Sequence, residues 1–291
     1  MNSYSLKKTA VKALAAVVAL STLTGLAACG SAQAADSGEK TLKVALVVPN
    51  KPYAYAEKDG SPAGFEYEVL KKIDDQNKNI KLEYSTLEYQ NALIGLKEGK
   101  YDLVSGTFFR TPAREKDYLV TKPYNYYFLN LIVNPNSKIK TMEDLNGKSV
   151  VPIESTDGRY VAFRDWQKKH PNVKIKMEAS STQPTFTDMI QQVHDGTYDA
   201  VYLSKDQFDG VKDSLGYPMK VTDAVDGRDT VFLLNKKNQD AQQQVNKSIE
   251  ALTKDGTLAG LTKKWFKQDN FALAELSLIH ISEPTRHLRI S

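Results

Sequence analysis

Apolar and polar residues alternate along the chain in a rhythm that predicts strands and helices in turn. Residues 42–48 (LKVALVV) form a nearly continuous apolar run, which is typical of a strand buried on both faces. In the segment 66–73, Tyr67, Leu70 and Ile73 share one face of a predicted helix. The same criteria predict strands over 80–84 and 101–104 and a helix over 91–97.

A second series of elements begins after the apolar run 128–133. Strands that alternate with helices imply a parallel or mixed α/β sheet, and a ligand is expected outside the carboxyl ends of the strands where two such units meet. This series comprises a helical turn over 142–145, strands over 148–153, 173–177 and 200–203, and helices over 158–169 and 186–194. The last predicted elements are a strand over 231–234 and helices over 241–253 and 258–266.

The N-terminal run has the composition of a secretory signal. Three lysines precede an apolar stretch over 13–26, which is too short and too rich in Ala and Thr to hold a helix in a bilayer. Cys29, the only cysteine of the chain, ends the run LAAC, which resembles the bacterial lipobox. We expect 1–28 to be a signal peptide, Cys29 to be lipidated and 29–39 to be the anchor and linker. The alternative is a secreted protein with a stray cysteine.

The C-terminal run 276–291 (LSLIHISEPTRHLRIS) resembles the translation of a transposase sequencing adapter, so we interpret it as a non-native tail. Removing the three lysines of the signal, together with two arginines and one glutamate of the tail, changes the charge balance. The 39 basic and 35 acidic residues of the whole chain become 34 of each. The sequence pI of 8.8 therefore gives no reason to expect a nucleic-acid partner, and no basic run interleaved with aromatic residues suggests one.

Seven short segments resemble, in order, the family-3 solute-binding proteins of ABC transporters, which bind polar amino acids. Each segment is weak alone, but together they extend over nearly all of 40–266. The segments are LKVALVVPNKPYAY, GFEYEVL, NALIGLKEGKYDLVSG, TPAREKDYLVTKPY, KTMEDLNGKSVV, DGTYDAVYLS and DGTLAGLTKKWF.

The resemblance implies an α/β, two-lobed fold of the type II periplasmic-binding-protein kind, with two crossover strands and a central cleft. Lobe one would comprise 40–127 plus 226–271, and lobe two would comprise 128–225. The ligand would lie between the lobes, which would close around it by hinge motion. The family expectation is a monomer.

Arg114, in the segment TPAR, matches the family arginine that clamps the α-carboxylate of the ligand. A guanidinium offers a planar fork of donors that fits two carboxylate oxygens. The alternative is a surface arginine paired with Glu115 or Asp117.

The segment before Arg114 is one residue longer than the common family pattern. Phe109 therefore falls where many relatives have a threonine whose hydroxyl helps to hold the carboxylate. The backbone N–H groups of Gly106 and Thr107 are further candidates for the ligand. Arg110 is either a second cation at the site or a solvated loop residue.

Aromatic residues are the next candidates. Tyr53 and Tyr55 match the aromatic pair after the first strand of the family, and Tyr89 matches the aromatic residue that opens the next helix. Such rings, with Phe108 and Phe109, could sandwich an apolar chain or receive a cation. The alternative for each tyrosine is packing in the core.

Ser155 and Thr156 precede a helix that is predicted to begin near Gly158. Free N–H groups at a helix start, together with a hydroxyl cap, can bind an anion, and relatives hold the ligand carboxylate there from lobe two. The alternative is an ordinary helix cap, which is compatible with the same role.

Ser204 marks a departure from the family. Many relatives end this strand in an aspartate that pairs with the ligand ammonium, and an ammonium buried without an anion is unfavourable. Either Glu154, Asp157 or Asp206 supplies the charge, or the ligand is not a free α-amino acid.

The function that these residues predict is a lipid-anchored, extracytoplasmic binding protein that delivers an amino acid or a derivative to an ABC permease. We expect no cofactor, no metal and no catalysis, since the sequence contains no HExxH, CxxC or GxSxG motif. The alternatives are an enzyme resembling cyclohexadienyl dehydratase, with Glu154 as the acid, and a ligand sensor that acts in trans.

Overall fold

The computed structural model describes residues 40–182 and 184–282, with side chains described as far as 276. The predicted signal peptide 1–28, the lipidation site Cys29, the linker 29–39 and the tail residues 283–291 lie outside the described residues. Within the described part of the chain, no helix has both the length and the apolar content that a membrane span requires.

Twelve strands form the sheets of the described part of the chain. They are β1 (Lys40–Val47), β2 (Tyr55–Ala56), β3 (Pro62–Ala63), β4 (Ile80–Leu87), β5 (Leu103–Phe109), β6 (Leu119–Val120), β7 (Asn125–Val133), β8 (Ile153–Glu154), β9 (Ala179–Ser180), β10 (Val201–Leu203), β11 (Lys220–Val221) and β12 (Asp226–Leu234).

Nine α-helices and two short 3₁₀ turns, Glu143–Leu145 and Lys212–Ser214, connect these strands in the described ranges. The helices are α1 (Phe65–Gln76), α2 (Tyr89–Lys97), α3 (Pro112–Asp117), α4 (Gly158–Lys169), α5 (Phe186–His194), α6 (Lys205–Asp209), α7 (Gln239–Lys254), α8 (Thr257–Phe266) and α9 (Asn270–Ser282).

The main sheet has the strand order β10-β7-β12-β5-β1-β4, with β11 beside β7 and β6 beside β12. β1 lies parallel to β4 and β5, whereas β12 runs antiparallel to β5 and β7. The sheet is therefore mixed, as the alternation of strands and helices predicted.

Two long strands, β7 and β12, connect the two ends of this sheet. They pair with each other only through 125–129 and 226–230. We call these two paired segments the ribbon. Outside the ribbon, β7 pairs with β10 and β11, and β12 pairs with β5 and β6. We call β4, β1 and β5 with α1–α3, α7 and α8 the β1 side, and β8–β11 with α4–α6 and their loops the β10 side.

Both faces of β1 are buried, as its apolar run predicted. Leu42, Val44 and Leu46 belong to the large core, while Ala45 and Val47 face a smaller cluster beneath α2. Alternate side chains of a strand point to opposite faces, so a continuous apolar run supplies two cores at once.

The strands predicted over 148–153 and 173–177 are shorter in the structure. Regular pairing is confined to β8 and β9, and isolated bridges join Ser149 to Lys176 and Val150 to Ala200. The apolar residues of these segments are nevertheless buried, apart from the half-buried Val173. The pattern therefore located the core correctly but overestimated the length of the strand pairing.

α9 was not predicted. It begins at Asn270, whose side chain donates hydrogen bonds to Asn125 Oδ1 and to the Tyr126 carbonyl, both at 3.0 Å. The helix continues to Ser282 and so includes residues 276–282 of the predicted tail.

Candidate functional site

The beginning of α3 holds Arg114 where the β1 side meets the β10 side. The Thr111 hydroxyl caps this helix by accepting a hydrogen bond from the Arg114 N–H at 3.3 Å, and Pro112 occupies the first turn. Arg114 donates from Nη1 to the Phe109 carbonyl at 2.8 Å and from Nη2 to the Thr156 carbonyl at 3.2 Å. One guanidinium thus joins the end of β5 to the loop before α4.

Two aromatic residues surround this guanidinium. Tyr89, the first residue of α2, accepts a hydrogen bond from Arg114 Nη2 at 3.2 Å and donates its own to the Thr156 carbonyl at 3.1 Å. The Phe108 ring lies 4.9 Å from the centre of the guanidinium and 5.7 Å from the Tyr89 ring. The Phe108 ring thus lies against a permanently charged group, and the Tyr89 hydroxyl helps to fix the orientation of that group.

Gly158, at the start of α4, lies close to the β1 side. A methyl group at this position would lie 2.8 Å from the Phe109 ring and 3.1 Å from Arg114 Nη1. Only a residue without a side chain allows the backbone of α4 to come this near.

The cap of α4 differs from the prediction. Asp157, not a hydroxyl residue, caps the helix and accepts a hydrogen bond from the Arg159 N–H at 2.8 Å. Asp157 also pairs with the Arg159 guanidinium at 2.7 Å. Burial by itself would raise the pKa of Asp157, but the charge of Arg159 outweighs it and the pKa is lowered. The expected hydroxyl cap is therefore wrong, and Ser155 and Thr156 are exposed loop residues.

Glu154 lies at the end of β8 with 4 % of its surface exposed. Its Oε1 accepts hydrogen bonds from Thr156 Oγ1 at 3.0 Å and from the side-chain amide of Gln90. Gln90 follows Tyr89 on α2, so two successive residues of one helix turn contact the same loop of the β10 side.

A second set of contacts between the sides is made by amides. Gln207 of α6 donates to Asn50 Oδ1 at 2.7 Å and accepts a hydrogen bond from the Tyr127 hydroxyl. Asn50 in turn donates to Thr107 Oγ1 at 3.2 Å. The loop after β1, the bend of β5 and the first turn of α6 are thus connected through buried polar groups.

Thr107 lies in a bulge of β5 and has a φ of 51°. The pairing with β12 changes register here, and β5 has two more residues between its paired positions Val104 and Phe108 than β12 has between Leu233 and Val231. The bulge thus lies in the segment before Arg114, which the sequence analysis found to be one residue longer than the family pattern.

Glu66 stabilises this bulge through a hydrogen bond. Its Oε1 accepts the Thr107 N–H at 2.7 Å and a hydrogen bond from the Tyr124 hydroxyl, and burial raises the pKa of its carboxyl. The Thr107 N–H, predicted as a donor to the ligand, is engaged by a side chain here. Gly106 is buried, and a methyl group there would lie 2.8 Å from Val47 Cγ2.

Tyr53 lies in the core. It is fully buried, and its ring contacts those of Phe65, Tyr127 and Phe266. Its hydroxyl donates to Asp206 Oδ2 at 3.3 Å. Burial raises the pKa of Asp206 to about 6, although the Tyr53 hydroxyl and Lys205 act in the opposite direction.

Three further predicted residues have structural partners. The half-buried ring of Tyr55 receives the Lys51 ammonium at 4.6 Å. Ser204 is fully buried and caps α6, since its hydroxyl accepts the Gln207 N–H at 3.1 Å. Arg110 is a partly exposed residue of the loop after β5, and it forms ion pairs with Glu115 at 2.9 Å and Asp229 at 3.2 Å.

The structure therefore brings together Tyr89, Phe109, Arg114 and Thr156 from the predicted set. It adds Asn50, Gln90 and Gln207, which sequence reasoning missed. These three are neutral amides, and the only signal that could have indicated any of them is the position of Asn50 just after the first buried strand, where ligands are expected.

The surface cavities described for this protein lie elsewhere. One of about 330 Å³ is lined by Lys97, Asp117, Tyr118, Asn235 and Lys236 among others, and a second of about 370 Å³ lies between Pro123, Tyr126 and Phe271. None of the predicted ligand residues lines either cavity, and the contacts around Arg114 and Gly158 show that the two sides touch where the site is expected.

Comparison with protein families gives a match over most of the chain. The model of the family described as bacterial extracellular solute-binding proteins, family 3, matches residues 42–268. This range includes every site residue considered above except Cys29.

Two curated relatives are similar over nearly their whole length. The probable amino-acid-binding protein YxeM of Bacillus subtilis (strain 168) is 30% identical over 273 residues, which cover 91% of this chain and 97% of that protein. The L-cystine-binding protein TcyK of the same organism is 26% identical over 259 residues, which cover 87% of this chain and 94% of that protein.

A solved structure shares the fold. It comes from work on glutathione import via GshT and the cystine ABC importer TcyBC of Streptococcus mutans, with a TM-score of 0.68 and 26% identity over 80% of this chain and 97% of that one. Solved structures similar to this chain are type II periplasmic binding proteins, so the predicted fold class is confirmed.

Proposed function

Because this chain belongs to the bacterial extracellular solute-binding proteins of family 3, we propose that it captures an α-amino acid between the β1 side and the β10 side and delivers it to an ABC permease. The observation that carries this proposal is the position of Arg114. Its guanidinium lies at the contact between the two sides and is oriented by Phe108, Tyr89 and the Phe109 carbonyl.

The present partners of Arg114 can be exchanged for a carboxylate. Nη2 bonds to the Tyr89 hydroxyl and the Thr156 carbonyl, which are neutral acceptors at 3.2 Å. Hydrogen bonds from guanidinium to carboxylate are shorter and about twice as strong. A ligand carboxylate therefore replaces these weaker hydrogen bonds with a bidentate, charge-assisted contact to the Arg114 guanidinium.

Closure follows from the division of the site between the two sides. Arg114 and Tyr89 belong to the β1 side, whereas Thr156 and Gly158 belong to the β10 side. A ligand held by both sides binds the closed arrangement better than the open one, so it shifts the population towards closure. The closed form is then the species that docks on the permease.

L-Cystine is the first ligand to test. A relative similar to this chain over 259 residues is named an L-cystine-binding protein, and the related solved structure comes from work on a cystine importer. Relatives of the chain are named as binding proteins, which favours capture over catalysis.

Lipid attachment at Cys29 would keep the protein at the extracytoplasmic face, where the family acts. We expect Cys29→Ser to move the protein from the membrane fraction to the medium or periplasm, with ligand affinity unchanged. Retention of the variant in the membrane fraction would rule out this anchor.

The site is tested by calorimetry and thermal shift with the twenty L-amino acids and L-cystine. We expect at least one to bind, and Arg114→Ala to weaken its binding by at least about 30-fold, because a desolvated charge pair loses one partner. Arg114→Lys should recover only part of the affinity, since lysine has no planar fork.

Arg164→Ala is the matched control, because Arg164 is an exposed arginine that bonds only to Gln167 among the contacts described for it. Equal affinity of wild type and Arg114→Ala would exclude the proposed site. Product formed with turnover from any ligand would instead support an enzyme.

A further inference from the structure

We propose that Glu154 receives the ammonium group of the captured amino acid, in place of the aspartate that many relatives have where this chain has Ser204. The proposal rests on the function proposed above and names the second charged contact of the same site. The ligand would then be a zwitterion. Arg114 would bind its carboxylate and Glu154 its ammonium, on opposite sides of Thr156.

The partners of Glu154 are the first observation. The carboxylate is 4 % exposed and accepts hydrogen bonds from an amide and a hydroxyl, both neutral. Within the described ranges no lysine, arginine or histidine forms an ion pair with it. A buried carboxylate without a cation is unfavourable, so this position is prepared for a positive group that the chain itself does not supply.

The other two carboxylates that could replace the family aspartate are less suitable. Asp157 already has its cation, since Arg159 pairs with it at 2.7 Å. Asp206 receives the hydroxyl of Tyr53, whose ring is fully enclosed by core aromatic residues. Unlike Asp206, Glu154 shares its contacts with the residues around Arg114, and unlike Asp157 it has no ion-pair partner among the described residues.

The geometry links Glu154 to Arg114 through one residue. Thr156 donates its hydroxyl to Glu154 at 3.0 Å and accepts Arg114 Nη2 on its carbonyl at 3.2 Å. From the β1 side, Tyr89 bonds to the Thr156 carbonyl and the adjacent Gln90 bonds to the Glu154 carboxylate. A positive and a negative side chain therefore flank a single exposed residue, which is the arrangement that an α-carboxylate and an α-ammonium require.

Gln90 marks the place of the ligand nitrogen. Its amide nitrogen donates to Glu154 Oε1 in the structure, and Gln90 itself is exposed. An ammonium group has three donors and a full charge, so it displaces a neutral amide from a carboxylate favourably. Gln90 then moves aside as the ligand enters from the solvent.

The test compares the ligand affinity of Glu154→Gln with that of wild type. Asp206→Asn tests the rival assignment, in which Asp206 binds the ammonium. The probes are the tightest-binding member of the amino-acid panel and its deaminated acid, which for L-cystine is 3,3′-dithiodipropionate. We expect Glu154→Gln to weaken binding of the amino acid by at least about 30-fold. Removing the ammonium from the ligand should weaken binding strongly in wild type and less than threefold in Glu154→Gln.

Folding is controlled by thermal unfolding without ligand. Glutamine has nearly the shape of glutamate and can keep both hydrogen bonds, so the variant should unfold at or above the wild-type temperature while its affinity falls. Asp213→Asn, an exposed change on the β10 side, should alter neither quantity.

The possible results separate the two proposals. If wild type binds no member of the panel, the proposed function fails and this assignment with it. If wild type binds and Arg114→Ala does not, but Glu154→Gln keeps the wild-type affinity or the wild-type penalty for deamination, Glu154 is excluded. If the deamination penalty disappears in Asp206→Asn alone, the ammonium belongs to Asp206.

Discussion

Arg110 and Arg114 lie on the same short segment, yet the fold gives them different partners. Arg110 forms ion pairs with Glu115 and Asp229, so its charge already has partners within the chain. Arg114 bonds only to neutral oxygen atoms among the contacts described for it, which leaves its charge available. The residue type could not distinguish these outcomes, because Asp229 comes from β12 and the sequence does not show which of the two arginines pairs with Glu115.

Asp206 gives a prediction about pH and stability. Burial raises its pKa to about 6, and the charged or titratable groups that face it are Tyr53, Lys205 and Asp209. A carboxyl whose pKa is higher when folded stabilises the protein fully below its unfolded pKa, near 3.9, and this contribution is lost as the pH rises through about 6.

Asp206→Asn removes this titration. We therefore expect the variant to exceed wild type in free energy of unfolding at pH 8, by on the order of 2 kcal/mol, with the difference vanishing near pH 4. Urea unfolding at pH 4, 6 and 8 measures it. Parallel pH profiles of the two proteins would show that Asp206 is not the group concerned.

At the scale of elements, the helices with clear end signals were predicted best. The predicted ranges 158–169 and 186–194 coincide with α4 and α5, where Asp157 and Thr185 supply caps. β5 extends past its predicted end at 104 to Phe109, because the bulge at Thr107 lets it continue beside β12. Periodicity does not reveal a bulge, since the extra residues break the alternation on which the method depends.

The candidate site was predicted as far as its charged and aromatic residues. Arg114 came from a short segment that resembles the family, Tyr89 from its match to the aromatic residue that opens a helix, and Thr156 from its place before a predicted helix. The structure places the three in contact. Asn50 and Gln207 could not be found in this way, because an amide has no characteristic spacing and these two are 157 residues apart.

At the scale of the whole molecule, the two sides approach through backbone as well as side chains. A methyl group at Gly210 would lie 3.0 Å from the Lys51 carbonyl, and one at Gly158 would lie 2.8 Å from the Phe109 ring. The contact between the two sides therefore depends on small residues at two places, in α4 and after α6.

Gly158→Ala tests this dependence. The methyl group would collide with Phe109 only in the closed arrangement, so we expect ligand affinity to fall about tenfold. The free energy of unfolding should stay within about 1 kcal/mol, because alanine is a better helix former than glycine. Gly260→Ala, a helical position with no atom within 4 Å of the added methyl group, is the control and should leave affinity unchanged. Calorimetry that shows equal affinity for Gly158→Ala and wild type would contradict this account.

The ribbon of β7 and β12 has a consequence for how the chain could be re-engineered or diversified. The chain leaves the β1 side through β7 and returns through β12, and Leu129 lies opposite Asp226 in that ribbon. Everything between these two residues is therefore a single excursion with adjacent ends, the topology in which insertions are tolerated. One could graft the corresponding excursion of a relative at this pair without cutting any other strand.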